Sequence, residues 1–351
     1  MQQLTVGKHI IDNNNPCFII AEAGVNHNGN LEMAIELVRK AKEIGVDCIK
    51  FQTFKAESVI TKKAPKAKYQ LEVTDPGESQ FDMLKKLELT YDDYIKIIEE
   101  CNKQQITFLS TPYNEEDSNF LNDLGVSAFK IASGQIVELA FLKHVAKLGK
   151  PMILSSGMAT LAEVYEAVMT IREAGNEQIA ILQCTTNYPS KNEDANIRAM
   201  ISMGKSLDLL YGYSDHIEEN HACYAAVALG AKIIEKHFTL DRNLPGPDHK
   251  ASLNVLEFKV LIDGIRKTEI ALGSPIKKPS AKEIQNTKGM RRSIVLNSPI
   301  KKGEVITEDN MVFKRPATGI APKRKKELIG KKAAMDICED VPLKENMILW
   351  E

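Results

Sequence analysis

The chain has 351 residues, a formal net charge of −1 and a hydrophobic content of 43%. This length is enough for one large domain and a small second one, and the composition is that of a globular protein. The near-neutral charge argues against a nucleic-acid partner. The six cysteines are scattered, and we find no secretory leader and no run of 18 apolar residues. We therefore expect a cytoplasmic protein with no disulfide frame and no membrane partner.

Short apolar runs alternate with amphipathic stretches through most of the chain. Stretches such as 31–45 and 161–175 carry apolar residues at three- and four-residue steps and end in glycine, which predicts helices. Eight strand–helix repeats over residues 1–270 predict an α/β fold, a (β/α)8 TIM barrel, with a doubly wound open sheet as the main alternative. The predicted strands are 17–22, 47–53, 106–111, 127–133, 151–156, 180–186, 209–216 and 232–238.

The composition and the hydrophobic pattern of the sequence change after the predicted barrel. Residues 271–290 are polar and contain two prolines, which is typical of a linker. Residues 291–351 contain short β-like runs separated by Pro, Gly and Asn, which predicts a small β-rich domain.

Polar side chains lie at or just after the end of every predicted strand. Active sites of TIM barrels are built at the carboxyl ends of the strands, so these residues form the candidate site. Because side chains alternate between the two faces of a strand, Glu235 and His237 should face the barrel mouth, and Lys236 and Phe238 the helical layer or its loop. The candidates are Glu22, Lys50, Gln52, Thr111, Tyr113, Lys130, Ser133, Ser155, Thr186, Tyr188, Ser214, His216, Glu235 and His237.

Two of these candidates are histidines on neighbouring strands, His216 and His237. Imidazole pairs of this kind suit a divalent metal with open coordination positions, whereas a satisfied core histidine is the alternative for each. Glu235 could be a metal ligand, a partner of His237 or a base. Asp248, in the loop that follows the last predicted strand, could reach substrate hydroxyls.

Two candidates are lysines, Lys50 and Lys130, near the ends of the second and fourth predicted strands. Lysines at a barrel mouth favour an anionic substrate, and phosphate is the commonest reason for them. Either could instead form a Schiff base, as in a class I aldolase. The nearby Ser and Thr hydroxyls could donate to phosphate or cap helices.

Several segments together resemble the sialic acid synthase family across essentially the whole chain: IIAEAGVNHNGN, IKFQTF, FLSTPY, FKIASG, ILSSGM, QCTTNYP, GYSDH, EKHFTLDRNLPGPDH and FKRPATGI. The resemblance implies a (β/α)8 barrel followed by a small SAF, or antifreeze-like, domain, and a domain-swapped homodimer. It implies condensation of phosphoenolpyruvate with an N-acetylated mannose-type sugar, N-acetylmannosamine, to give N-acetylneuraminate and phosphate by C–O cleavage. The alternative is an N,N'-diacetyllegionaminate synthase using 2,4-diacetamido-2,4,6-trideoxymannose, and a more distant alternative is a non-catalytic carbohydrate-binding protein.

The resemblance also implies roles for individual residues. His216 and His237 would bind the metal, with Mn²⁺ expected first and Mg²⁺ or Co²⁺ as alternatives, and Glu22 or Glu235 would activate water. Arg315 would reach across the dimer to the N-acyl group of the sugar. The phosphoenolpyruvate group would be Lys50, Lys130, Ser133, Ser155 and Ser214 with Tyr188 nearby, and the sugar-facing group Gln52, Tyr113 and Asp248.

Two positions depart from the family pattern. Gln135 stands where many sialic acid synthases have Glu, and Thr186 stands where some members have Asn. Both positions are expected near the substrates, so the identity of the acceptor sugar stays open.

Overall fold

The computed structural model describes residues 2–66, 70–71, 74–75 and 77–351. The chain divides into two compact units, one that ends at Gly273 and one that runs from Ser274 to Glu351. No helix among the described residues combines the length and the apolar character needed to cross a membrane.

Eight parallel strands form the centre of the first unit. They are β3 (Phe18–Gly24), β4 (Cys48–Thr53), β5 (Thr107–Pro112), β6 (Phe129–Ile131), β7 (Met152–Ser155), β8 (Ile179–Cys184), β9 (Leu210–Asp215) and β10 (Ile233–His237). Their spatial order is β5-β4-β3-β10-β9-β8-β7-β6, and the terminal strands β5 and β6 contact each other, which closes the sheet into a barrel. The predicted (β/α)8 barrel is therefore confirmed over the open sheet. An unpredicted antiparallel hairpin, β1 (Leu4–Val6) and β2 (His9–Ile11), precedes the barrel.

Helices with one apolar face surround these strands. The first, α1 (Leu31–Ile44), buries Leu37 and Val38 against the core and ends at Gly45, whose positive φ of 85° suits a residue without a Cβ. The helices that follow α1 are α2 (Ala56–Val59), α3 (Gln80–Lys86), α4 (Tyr91–Gln104), α5 (Glu115–Asp123), α6 (Leu139–Lys147), α7 (Leu161–Glu173), α8 (Arg198–Leu207), α9 (His221–Ala228) and α10 (Val255–Leu272). Helices α2 and α3, in the connection after β4, were not predicted, because neither is long enough to show a helical period.

The second unit has its own small apolar core, which includes Ile294, Leu328 and Leu343. The elements of this unit are α11 (Ala281–Met290), β11 (Ser293–Leu296), β12 (Met311–Lys314), α12 (Lys325–Leu328), β13 (Lys332–Ala333) and β14 (Ile348–Leu349). Two antiparallel strand pairs frame the core, β11 with β12 and β13 with β14. Helix α11 lies in the predicted linker and buries none of its side chains, which explains why the sequence shows no apolar stripe there.

Side-chain alternation along β10 separates two buried polar systems. Glu235 and His237 line the cleft at the barrel mouth, whereas Lys236 points to the opposite face. There Lys236 Nζ lies 2.5 Å from Asp215 Oδ2 and donates to the carbonyl of Glu219 at 3.0 Å. Both side chains of this ion pair are almost fully buried. The Phe238 ring packs edge-on against Phe258 of α10, as expected for the helical layer.

We predict that Lys236→Met lowers the free energy of unfolding by about 3–5 kcal/mol, because Asp215 is then buried without its cation. Denaturant unfolding followed by circular dichroism measures the loss. Lys259→Met is the matched control, since Lys259 pairs with Asp263 on the exposed face of α10 and surface pairs contribute little. A loss at Lys236 no larger than that of the control would contradict the stabilising role of the pair.

Candidate active site

The carboxyl ends of the barrel strands surround an open cleft of about 490 Å³. Asp248 lines a smaller pocket beside the cleft, and Arg315 is an exposed residue of the second unit. All the other predicted site residues line the cleft itself: Glu22, Lys50, Gln52, Thr111, Tyr113, Lys130, Ser133, Gln135, Ser155, Thr186, Tyr188, Ser214, His216, Glu235 and His237.

Two lysines and two carboxylates form a buried network in the cleft. Lys50 Nζ lies 2.6 Å from Glu22 Oε2 and 3.8 Å from Glu235 Oε2, and Lys130 Nζ lies 3.4 Å from Glu235 Oε1. Strand register accounts for this arrangement, because Glu22 on β3 lies opposite Lys50 on β4 and opposite His237 on β10. Glu22, Lys50 and Glu235 therefore lie on three adjacent strands, and Lys130 reaches Glu235 from β6.

The two carboxylates differ in their electrostatic environment. Burial raises the pKa of Glu22, and Lys50 only partly opposes that rise. Burial also disfavours the ionised form of Glu235, but Lys130 and Lys50 outweigh it and lower the pKa of Glu235 to about 2. Glu22 is consequently the more basic carboxylate of the pair.

Hydroxyl groups accompany both lysines. Lys130 Nζ donates to Ser155 Oγ at 2.7 Å, and Lys50 Nζ donates to Thr111 Oγ1 at 3.1 Å. Burial lowers the pKa of Lys130, whereas Glu22 and Glu235 overcome the same effect at Lys50 and raise its pKa. Cations and hydroxyls grouped in this way can bind a phosphate or a carboxylate.

Amide side chains connect the network to the wall of the cleft. Gln52 Nε2 donates to Glu22 Oε1 at 3.0 Å, and the Tyr113 hydroxyl donates to Gln52 Oε1 at 3.1 Å. The side-chain amide of Gln135 forms hydrogen bonds with the backbone through both its nitrogen and its oxygen. It donates to the carbonyl of Pro112 and accepts from the backbone amide of Ala132. Gln135 thus braces the loop after β6 as well as lining the cleft.

The two histidines form the other side of the site. Their ring centroids lie 5.3 Å apart, and the Tyr188 ring lies 4.0 Å from that of His216. His216 Nδ1 lies 2.7 Å from the carbonyl of Thr185, which orients the ring and leaves Nε2 for a ligand. His237 Nδ1 is buried without a hydrogen-bond partner, and Asp248 Oδ2 lies 3.9 Å from it.

This donor set fits a divalent metal that completes its coordination with water or substrate. Among the described residues, no cluster of three or more His, Cys, Asp or Glu side chains is arranged to hold a metal ion. The pair His216 and His237 would therefore form an open site.

Sequence reasoning missed cleft residues that lie in loops, such as Met158 after β7. Cys184, at the end of β8, was given no role, and its Sγ approaches His216 Nδ1 to 3.9 Å. Sequence reasoning also missed the smaller pocket beside Asp248, to which α2 and α3 contribute Val59, Gln80, Met83 and Leu84. No apolar run marks this wall in the sequence, because its apolar residues are scattered among charged ones.

A barrel with a lysine–carboxylate network and an open histidine pair at its mouth defines an enzyme built for an anionic substrate. The NeuB family model matches residues 37–277, and the SAF domain model matches residues 291–349. The N,N'-diacetyllegionaminic acid synthase of Campylobacter jejuni is 47% identical, over 93% of this chain and 98% of that protein. The enzyme of the same name from Legionella pneumophila is 43% identical, over 95% and 94%.

Among solved structures, the N-acetylneuraminic acid (sialic acid) synthetase of Leptospira borgpetersenii is 32% identical with a TM-score of 0.73, covering 81% of this chain and 95% of that one. The chain belongs to the NeuB family of nonulosonic acid synthases, and it is a transferase that forms carbon–carbon bonds. The resemblance to sialic acid synthases and the SAF domain are confirmed, and a non-catalytic carbohydrate-binding protein is excluded.

We predict that Lys50→Met lowers the free energy of unfolding at about pH 7.5 by about 3–5 kcal/mol, because Glu22 and Glu235 then share only Lys130. Without Lys50 the folded-state pKa of Glu22 lies further above its unfolded value, so folding takes up a proton. Stability is then greatest below the unfolded pKa and falls as the pH rises through the folded one. The loss should therefore be smaller at about pH 5.

Denaturant unfolding of the variant and the wild type at both pH values measures this difference. The double variant Lys50→Met, Glu22→Gln should recover most of the loss at neutral pH, because the unpaired carboxylate is gone. Equal losses at both pH values, together with no recovery in the double variant, would rule out this electrostatic account.

Proposed function

We propose that the protein condenses phosphoenolpyruvate with 2,4-diacetamido-2,4,6-trideoxymannose to give N,N'-diacetyllegionaminate and phosphate. The observation that carries the choice of acceptor is the higher identity to the two legionaminic acid synthases than to the sialic acid synthetase. This reverses the order expected from the sequence, so N-acetylmannosamine becomes the second candidate.

The lysines and hydroxyls of the cleft support the phosphoenolpyruvate half of the proposal. Lys50 and Lys130 would bind its phosphate and carboxylate, with Ser155 and Ser214 as additional donors. In the structure, Ser214 Oγ donates to Glu235 Oε1 at 2.9 Å. Holding the anionic substrate against the acceptor contributes proximity rather than bond-making.

The histidine pair supports a metal cofactor. His216 and His237 would hold a divalent ion, Mn²⁺ first and Mg²⁺ or Co²⁺ as alternatives, which when bound supplies Lewis-acid chemistry at the aldehyde oxygen of the acceptor. Thr185 fixes the ring of His216 through its carbonyl. Asp248 would orient a water molecule or an acceptor hydroxyl beside His237.

The reaction balances as carbon–carbon bond formation followed by loss of phosphate. C3 of phosphoenolpyruvate bonds to the aldehyde carbon of the acceptor, and the aldehyde oxygen takes up a proton and becomes a hydroxyl group. Water adds at C2, and phosphate then leaves with its bridging oxygen by C–O cleavage as the C2 hydroxyl loses its proton and becomes a carbonyl. Glu22 would take the proton of the attacking water, because its pKa is raised while that of Glu235 is held at about 2.

We predict that a phosphate-release assay with phosphoenolpyruvate and Mn²⁺ gives a kcat/KM for the diacetamido sugar about 10-fold or more above those of N-acetylmannosamine and its 6-phosphate. In ¹⁸O-labelled water the sugar acid should carry the label and the phosphate should not. Preference for N-acetylmannosamine would overturn the proposed acceptor, and labelled phosphate would overturn C–O cleavage.

His237→Ala, checked for folding by circular dichroism, should abolish Mn²⁺-dependent turnover.

We also propose a homodimer with swapped SAF domains, in which Arg315 of each protomer reaches the N-acyl group of the sugar in the other. Its planar guanidinium offers a donor fork suited to a carbonyl oxygen. A cytoplasmic location stays a prediction.

We predict that His237→Ala and Arg315→Ala proteins are each nearly inactive alone. After unfolding and refolding as an equal mixture, they should regain about a quarter of wild-type activity, because half of the dimers are then mixed and each mixed dimer has one complete site. Size-exclusion chromatography with light scattering establishes the dimer. A refolded mixture of dimers that stays inactive would show that Arg315 serves its own protomer.

A further inference from the structure

A second pocket of about 220 Å³ adjoins the cleft. Gln52, Tyr113 and His237 line both cavities, so the pocket opens beside the histidine pair. Among its described lining residues there is no lysine. The pocket is therefore continuous with the acceptor side of the site and separate from the lysines that would hold phosphoenolpyruvate.

One part of the pocket wall is apolar, whereas Asp248 and the polar residues shared with the cleft form a polar part. Val25, Phe54 and Met83 are buried in one cluster, and Val59 and Leu84 pack against it. These side chains come from the loops after β3 and β4 and from helices α2 and α3.

The polar part of the wall includes a pair of amides, in which Gln80 Nε2 donates to Gln70 Oε1 at 3.1 Å. The pocket thus combines an apolar surface with amide groups. Such a wall suits a ligand that carries both methyl and amide groups.

The two candidate acceptors differ at the end remote from the reacting carbonyl. When the aldehyde lies at His216 and His237, the remaining carbons can extend past His237 into the pocket. N-acetylmannosamine carries hydroxyls at C4 and C6, and a hydroxyl that lies against the apolar part of the wall, at Val59 and Met83, has no hydrogen-bond partner there, which is costly. The diacetamido sugar carries an acetamido group at C4 and a methyl group at C6, which gain from the same burial.

We propose that this pocket is the specificity subsite for the distal end of the acceptor, from C4 to C6. Phe54, Val59 and Met83 contact the C6 methyl and the methyl of the 4-acetamido group, and the Gln80–Gln70 pair bonds the amide. The inference rests on the proposed function and deepens it, because it names the residues that select between the two acceptors.

The test is Met83→Gln, which nearly preserves side-chain length and replaces an apolar contact with an amide. Its kcat/KM for the diacetamido sugar should fall by about 10- to 100-fold, while that for N-acetylmannosamine stays the same or rises. The KM for phosphoenolpyruvate and the Mn²⁺ activation curve should not move. Met83→Leu should keep the wild-type preference, because it retains an apolar side chain of similar volume.

Met33→Gln, the same replacement on α1 outside the pocket, is the control and should leave the ratio of the two kcat/KM values unchanged. An unchanged ratio in Met83→Gln, or an equal fall for both acceptors, would overturn the subsite. If Met83→Gln does not fold, Val59→Thr, which is nearly isosteric, should shift the ratio in the same direction, and failure to do so would also overturn it.

The wild-type panel separates this outcome from failure of the proposed function. A wild-type enzyme that uses neither sugar, or prefers N-acetylmannosamine, refutes the proposed acceptor whatever the variants do. A wild-type enzyme that prefers the diacetamido sugar, with a preference insensitive to Met83 and Val59, refutes only the subsite.

Discussion

The alternation of charge among Glu22, Lys50, Glu235 and Lys130 is the constraint on which the site depends. Isolated charges are too costly to bury, so each carboxylate must lie beside a lysine and each lysine beside a carboxylate. Register between β10, β3 and β4 brings Glu22, Lys50 and Glu235 together, and Lys130 joins them from β6. The four charges sum to zero, and the proposed divalent cation at the histidine pair would add positive charge for an anionic substrate.

Strand alternation limits how this network can be built. On β10, Glu235 and His237 face the cleft while Lys236 is committed to Asp215 on the opposite face. A shift of one residue would exchange these two sets and break both polar systems together. The last strand is therefore held in register by polar partners on both of its faces as well as by Ile233 and Ile234, which are buried in the core.

The parts of the structure that follow strand geometry were predictable from the sequence. The eight strands, the polar residues at their ends and the separation of Glu235 from Lys236 all follow from a period of two and from the position of strand ends in a barrel. Helix α11 was not predictable, because it has no buried face, and α2 and α3 were too short to show a period. The hydrogen bonds between the Gln135 side chain and the backbone were not predictable either, because they depend on loop geometry that the residue type does not reveal.

The strand pattern did not bear on the choice between the two acceptors for a related reason, since the reacting groups lie on strands and part of the pocket wall lies on loops and short helices. These two parts are nevertheless connected. Phe54 packs edge-on against the Tyr113 ring at 5.9 Å, the Tyr113 hydroxyl donates to Gln52, and Gln52 donates to Glu22. A sugar that fills the pocket would contact Phe54, at one end of this series of contacts. Glu22, at the other end, is the carboxylate proposed to accept the proton of water. Selection of the acceptor and orientation of the proposed base can therefore act through the same contacts.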